Sequence, residues 1–234
     1  MDKCLRSRGW LVKNTLIIAD THLPFCKERY LEFCKRIEKK RKCTRVVHIG
    51  DLVDNHAISY HEHDPDGWSP ADEMKEVDKT LKKWFKAFPE VYLCRGNHDN
   101  LVDRKGKTVG LPSRAFKSFR EMWKLPKGWK DDFSFIFDNV CYQHSGSGGR
   151  YGHINTALNN RMSTVIGHLH SVAGVEYSAN EREVIFGMCV GCGIDRHKYA
   201  FDYGRQFKNK PILGCGIVSA TKYGINAQFV PMNL

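Results

Sequence analysis

Short apolar runs that end in polar motifs are the feature that most constrains the fold of this 234-residue chain. Residues 14–19, 45–49 and 91–95 are apolar over several positions, which is typical of short buried strands. Each run stops at a motif rich in Asp, Asn and His: Asp20-Thr21-His22, Gly50-Asp51-Leu52-Val53-Asp54 and Gly96-Asn97-His98-Asp99. Because the carboxyl ends of parallel strands meet at one edge of a sheet, we expect these polar side chains to converge there.

The segments between these runs have the pattern of amphipathic helices. In 27–42, apolar residues recur at three- and four-residue spacing opposite a charged face. Ser69 can cap a second helix and Pro70 suits its first position. Its expected buried stripe is Met74, Val77, Leu81, Trp84, Phe85 and Phe88. Strands that alternate with helices predict an α/β fold with a parallel sheet.

After Trp123 the pattern changes to paired strand-like segments. The expected strands are 133–137 with 140–144, then 164–166, 172–177 with 183–188, and 212–219 with 225–230. Pairs of this kind predict a second, mixed or antiparallel sheet that stacks on the first.

The length suits a single domain over residues 1–234, since no linker-like or repetitive segment interrupts it. The first residues contain no signal-peptide pattern and no apolar run is long enough to span a bilayer, so we expect a cytoplasmic protein without membrane contacts. Nine cysteines are present, and their spacing does not match a paired zinc motif. We expect reduced, buried thiols, including Cys189 and Cys192.

The chain is strongly basic, with 37 Lys and Arg against 26 Asp and Glu and a formal net charge of +11. Such an excess favours polyanionic partners, because contacts to phosphates release counterions. The alternative is a basic surface that only aids solubility.

Two later histidine motifs complete a set of metal donors: His144, and the stretch Gly167-His168-Leu169-His170. Carboxylate, amide and imidazole donors suit divalent Mn, Fe, Zn or Ni, whereas thiolates would select differently. Two such ions close together can polarise a phosphate and lower the pKa of a bound water.

In sequence order, the motifs are DxH, GDxxD, GNHD, a later His and GHxH. With these motifs, residues 20–170 resemble the calcineurin-like metallophosphoesterase superfamily. The second half of the chain is similar to small phosphoesterases of phage and bacterial genomes. The resemblance implies two stacked mixed β-sheets flanked by helices. It implies an Asp51 bridge between two metal ions. His98 would protonate the leaving-group oxygen or stabilise charge in the transition state, and Asp54 would orient His98. The implied ligands are Asp20, His22 and His170 for the first ion, and Asn97, His144 and His168 for the second.

Some assignments stay open at this stage. His153 competes with His144 as a ligand, because the His144 motif is one residue long. His56, Asn97 and Arg150 are the expected substrate contacts. The His56–Trp68 loop, which contains His61 and His63, is interpreted as an active-site rim, with a third metal site as the alternative.

These features together predict a dinuclear phosphoesterase that attacks phosphorus with a metal-activated hydroxide. We expect Mn²⁺ first among the possible ions. A diesterase acting on nucleic acid or a nucleotide is favoured, because Asn55 stands where the resembled protein phosphatases carry a phosphate-binding Arg. The alternatives are a phosphomonoesterase, a non-enzymatic metal-binding scaffold, and a nucleic-acid-binding protein with incidental metals. The sequence is compatible with a monomer or a homodimer.

Overall fold

The computed structural model describes residues 13–60, 64, 66–204 and 206–233. Its strands are β1 (Lys13–Ile18), β2 (Arg45–His48), β3 (Val91–Cys94), β4 (Trp129–Asp132), β5 (Ser134–Phe137), β6 (Val140–Gln143), β7 (Ser163–Ile166), β8 (Ala173–Ala179), β9 (Val184–Val190), β10 (Gly214–Thr221) and β11 (Gly224–Pro231). Its α-helices are α1 (Tyr30–Arg41), α2 (Pro70–Ala87), α3 (Leu101–Thr108), α4 (Phe119–Met122) and α5 (Gly152–Asn160).

The strands form two mixed sheets, as predicted. The first has the order β11-β10-β1-β2-β3-β4, and the second has the order β5-β6-β7-β9-β8. Strands β1 to β4 run parallel, whereas β10 is antiparallel to β1. In the second sheet β6, β7 and β9 are parallel.

The apolar run of β1 is continuous because both of its faces are buried. Leu16 and Ile18 belong to the core that α1 and α2 cover, together with Tyr30 and Trp84. The alternate residue Ile17 belongs to the core that includes residues of both sheets. A parallel strand between two packed layers is expected to lack alternation, and this explains why the run was recognisable in the sequence.

Two expectations were wrong, and two elements were missed. β10 and β11 extend the first sheet instead of joining the second, because strand composition does not specify the pairing partner. β4 was missed, and so was α5, which lies against β7 and β9. Met74 is 44% exposed, whereas Glu73 is buried, since Glu73 precedes Val77 by four residues and so lies on the buried face of α2.

The predictions for the start of α2 and for the β5-β6 turn are confirmed. Ser69 caps α2 by accepting a hydrogen bond from the Asp72 backbone N–H. The β5-β6 hairpin turns at Asp138 and Asn139, both with positive φ, as a tight hairpin turn requires. The eight described cysteines are free. Within the described ranges, no helix is both long enough and apolar enough to span a membrane.

Candidate metal centre

The polar motifs lie in loops at one end of both sheets. The loops after β1, β2 and β3 carry Asp20, Asp51 and Asn97, and those after β6 and β7 carry His144 and His168. Backbone hydrogen bonds fasten these loops together: Asp20 donates to the Gly50 carbonyl at 3.0 Å, and Gly167 donates to the His144 carbonyl at 3.0 Å. The Asp20 carboxylate accepts the His168 backbone N–H at 2.9 Å, which links the two sheets.

Four residues of the polar motifs have a left-handed backbone. Asp20, His22, Asp51 and His168 have φ values of 50°, 44°, 46° and 65°. Residues other than glycine rarely adopt the left-handed region, and such strain is typically found at functional sites. The strain turns side chains that follow buried strands towards one another.

Two motif glycines allow the loops to approach closely. A Cβ on Gly96 would lie 2.1 Å from Oδ1 of Asp51, and one on Gly167 would lie 2.4 Å from Oδ2 of Asp20. Any side chain at either position would therefore displace a carboxylate of the centre.

The first donor group consists of Asp20, His22 and His170, whose donor atoms all lie within 4.8 Å of one another. Nε2 of His170 is 3.1 Å from Oδ1 of Asp20. Nε2 of His22 is 3.9 Å from the same oxygen.

The second donor group consists of Asp51, His144 and His168, whose donor atoms also lie within 4.8 Å of one another. Oδ1 of Asn97 lies 2.9 Å from Nε2 of His144, so the amide belongs to this group as well. Oδ2 of Asp51 is 3.2 Å from His144 and 3.6 Å from His22. This carboxylate therefore lies between the two groups, where a bridging ligand would be needed.

His153 is not part of the centre. It lies on α5, and its Nε2 is 3.3 Å from the Glu176 carboxylate. Of the two competing histidines, the structure places His144 with the other donors.

We expected the Asp54 carboxylate to orient His98, but its closest histidine partner is His22. The carboxylate forms a 2.5 Å hydrogen bond with Nδ1 of His22 and is 3.4 Å from Nδ1 of His98. Nδ1 of His98 instead donates a hydrogen bond to the Asp54 backbone carbonyl, at 2.7 Å. Asp54 thus orients His98 through its main chain, and its carboxylate orients His22. These contacts explain why His22, Asp54 and His98 also form a close group.

The electrostatics favour a cation between the carboxylates. Burial opposes ionisation of Asp51, but His144, His98 and His22 hold its pKa well below the usual value. Burial also disfavours protonated His144, yet Asp51 raises the pKa of His144 to about 10. For His98, Asp51 and Asp54 together outweigh burial and raise its pKa. The charge of Asp51 therefore dominates the centre and attracts positive charge.

The environment of Nε2 of His22 indicates whether divalent ions fit this centre. Burial lowers the pKa of His22 well below its ordinary value, so the ring is neutral, and its bond to Asp54 places the proton on Nδ1. Nε2 of His22 then presents a lone pair, has no hydrogen-bond partner, and faces the carboxylates of Asp20 and Asp51. Leaving a buried acceptor unsatisfied is costly, whereas a metal ion would satisfy it, so the donor set fits divalent ions.

Two supporting carboxylates were not assigned roles from the sequence. Asp99 is buried and accepts backbone N–H groups from Val53 and Gly96, at 3.1 and 2.8 Å. Burial raises its pKa to about 7. Glu73 accepts the backbone N–H groups of His56 and Ala57. The GNHD motif was a signal for Asp99, and the helical phase of α2 was a signal for Glu73.

The expected substrate contacts differ in accessibility. Asn97 is half-buried among the donors, and Arg150 is exposed beside a surface cavity. His56 is only 5% exposed and packs edge-on against Phe25 and Tyr199. His61, Glu62 and His63, considered for a third metal site, lie outside the described residues.

Two further residues bear on phosphate binding. Asn55 is buried and donates to the His98 carbonyl at 2.9 Å. The Arg95 guanidinium forms an ion pair with Asp131 and stacks on Phe119. Neither residue provides the phosphate-binding guanidinium of the phosphatase pattern.

The contact between Asp54 and His22 leads to a prediction about metal affinity. Asp54→Ala should lower the affinity for divalent metal by roughly 10–100-fold, because a partner that fixes the tautomer of a histidine ligand contributes about that much. Competition with a chromophoric chelator measures this. Asp78→Ala, which removes a surface ion pair with Lys124, is the matched control. Equal affinities in the two variants would contradict the role of Asp54.

Comparison with known proteins agrees with this geometry. The sequence profile of the calcineurin-like phosphoesterase family matches residues 13–185. No curated protein sequence matches the chain significantly.

Several solved structures are similar to this chain at low sequence identity. A metallophosphoesterase from Sphaerobacter thermophilus is 15% identical, with a TM-score of 0.46 over 95% of this chain and 90% of that one. Vacuolar Protein Sorting 29 from Cryptosporidium parvum is 10% identical, with a TM-score of 0.46 over 95% and 99%. The nuclease MPE of Pseudomonas putida is 16% identical, with a TM-score of 0.34 over 92% and 87%.

Proposed function

The chain belongs to the calcineurin-like phosphoesterase family, and from that membership we propose that it is a two-metal hydrolase whose preferred substrates are phosphodiesters. The position of the Asp51 carboxylate, between two groups of Asp and His donors, is the observation that carries the proposal. A carboxylate in this position can bridge two ions, and a pair of closely spaced ions can clamp a phosphate and activate a water for its hydrolysis.

The proposed ligands divide as the two donor groups do. Asp20, His22 and His170 would hold one ion; Asn97, His144 and His168 would hold the other, with Asp51 common to both. When bound, two divalent ions supply Lewis-acid polarisation of the phosphoryl group and an activated water. We propose Mn²⁺ as the first ion to test, because the donors are oxygen and imidazole nitrogen.

The proposed role of His98 follows from its hydrogen bond to the main chain. The Asp54 carbonyl engages Nδ1, which sets the orientation of the ring and makes Nε2 the nitrogen that transfers a proton. Burial opposes protonation of His98, but Asp51 and Asp54 outweigh it and raise the pKa of the ring, which favours the protonated form. A positioned group of this kind can protonate the leaving oxygen as its bond to phosphorus breaks.

The preference for diesters follows from charge. A phosphomonoester is a dianion near neutral pH and a diester is a monoanion, so a monoesterase benefits from an additional cation at the phosphate. Asn55 stands where the phosphatase pattern has that cation, and it is committed to the His98 carbonyl. Arg95 is committed to Asp131. The centre is therefore better matched to the singly charged ester.

Hydrolysis of two chromogenic esters tests the proposed function. Metal-depleted protein restored with Mn²⁺ should hydrolyse bis-p-nitrophenyl phosphate with a kcat/KM at least about tenfold higher than that for p-nitrophenyl phosphate, an energy difference of about 1.4 kcal/mol. The depleted protein without added metal is the control. A higher kcat/KM for the monoester would make the protein a phosphatase, and turnover of neither ester would contradict the proposal.

A further inference from the structure

A large cavity opens directly beside the metal centre. Its volume is about 880 Å³, and His168 and His170 form part of its lining. Phe201 also lines it, and the Phe201 ring packs edge-on against His22, with the ring centroids 5.7 Å apart. A ligand in this cavity would therefore lie against the proposed metal ligands.

The far wall of the cavity is fixed to the centre by the backbone. The wall is formed by Ile194, Arg196, His197, Phe201 and residues 207–211, and hydrogen bonds anchor the chain on either side of it. Gly193 donates to the Asp20 carbonyl at 3.0 Å, and Ile212 donates to the His170 carbonyl at 2.8 Å. The position of the wall relative to the donor groups is thus set by the same loops that carry the donors.

The wall is cationic. Arg196, His197, Lys208 and Lys210 line the cavity, and none of the lining residues that the structure describes is acidic. A one-signed lining in a concave site concentrates the positive field and attracts anions.

A second cavity continues the first. It has a volume of about 630 Å³ and shares Leu169, Ser171 and Asn209 with the first cavity. Its own lining includes Arg150 and Tyr151, and also one carboxylate, that of Glu176, which lies 3.3 Å from Nε2 of His153. We call the two together the cationic groove. Pockets for single small ligands typically have volumes of about 300–1,000 Å³, so the groove has room for more than one nucleotide unit.

Exposed aromatic rings accompany the cations. Phe207, in the first cavity, is 59% exposed, and Tyr151, in the second, is 53% exposed. Large exposed rings next to cations are the combination that proteins use to bind single-stranded nucleic acid, because bases stack on the rings while the cations contact the phosphates.

We propose that the cationic groove binds single-stranded polynucleotide and presents one of its phosphodiesters to the metal centre. This inference rests on the proposed function and assigns its substrate class. Lys208, Lys210 and Arg196 contact phosphates flanking the scissile one, and Phe207 stacks on a base. Duplex is excluded as the preferred ligand because its bases are already stacked on one another, and an acidic polypeptide offers no planar base to Phe207.

Binding in EDTA tests the groove without any contribution from turnover. The probes are fluorescent ten-residue oligothymidylate and oligouridylate, measured by anisotropy between 50 and 200 mM salt. Lys208→Gln/Lys210→Gln should raise Kd by roughly tenfold and reduce the slope of log K against log salt by about 1.4, since each phosphate contact to a single strand contributes about 0.7. Phe207→Ala should raise Kd by roughly tenfold with the slope unchanged, as the loss of one stacked base predicts.

Lys39→Gln/Lys40→Gln is the matched control, because it removes two positive charges from exposed positions on α1. The inference fails if this control weakens binding as much as the Lys208 and Lys210 changes do. It also fails if Phe207→Ala has no effect, or if duplex or polyglutamate displaces the probes at equal concentration. Preference between the two probes identifies DNA or RNA as the substrate. Failure of the proposed function is a separate result, because it would show as an absence of metal-dependent ester hydrolysis by the unmodified chain.

Discussion

Asp51→Asn should abolish metal-dependent ester hydrolysis, with a loss of at least about 10³-fold in kcat/KM, because metal-ion catalysis contributes several kcal/mol. The carboxylate lies between the two donor groups, so its replacement by an amide weakens both sites at once. Asn keeps the shape of the side chain and tolerates the left-handed backbone of this position. We therefore expect the variant to fold. Metal content after dialysis and kcat/KM for bis-p-nitrophenyl phosphate are the two measurements.

Asp138→Asn is a close control for this change. Asp138 also has a left-handed backbone, with φ of 51° against 46° for Asp51, and its carboxylate is paired with Arg45. The same exchange of carboxylate for amide at Asp138 should leave both metals and activity in place. If Asp51→Asn retained two ions and normal turnover, Asp51 would not be the bridge and the two-metal proposal would be wrong.

The sequence predicted the elements that carry local signals. β1, β2 and β3 were visible because parallel strands buried on both faces have continuous apolar runs. The second helix was visible because Ser69 and Pro70 mark its start. The donor residues were visible because each follows such a strand or belongs to a recognisable motif, and the structure brings all seven of them together.

Other features depend on contacts between distant parts of the chain. β10 pairs with β1, which is far away in the sequence. The composition of β10 does not reveal this partner. The bond between Asp54 and His22 joins residues 32 positions apart, which no local pattern reveals. The cationic groove is similar in this respect: Arg196 and Lys208 join His168 and His170 around one cavity only through folding.

The two supporting carboxylates were missed because Asp and Glu are common on protein surfaces, where they need no structural role. Asp99 and Glu73 satisfy backbone N–H groups of the loops around Asp51, and each is an acidic residue that a sequence would place equally well on a surface. Their burial is the property that distinguishes them. A search for acidic residues on the apolar face of a helix would have found Glu73, since it shares the phase of Val77 and Leu81.

His98→Ala should slow hydrolysis in a manner that depends on the leaving group. General acid catalysis typically contributes about 10²–10⁴-fold, so a loss in this range is expected for a dinucleotide, whose leaving alkoxide must gain a proton. For bis-p-nitrophenyl phosphate the loss should be small, because nitrophenolate leaves without one. Metal content should be retained, since the donor groups of Asp20 and Asp51 contain other histidines.

Added imidazole distinguishes proton donation from a merely structural role of His98. Its Nδ1 contact to the Asp54 carbonyl and its backbone contact to the Asp51 carboxylate could also hold the loops in place. Only the side chain is lost in His98→Ala, so the backbone contact remains and the vacated space can admit imidazole. Imidazole should then restore part of the dinucleotide rate without changing the rate for the nitrophenyl diester. An equal loss for both substrates, unaffected by imidazole, would assign His98 to positioning the loops and leave the proton donor elsewhere.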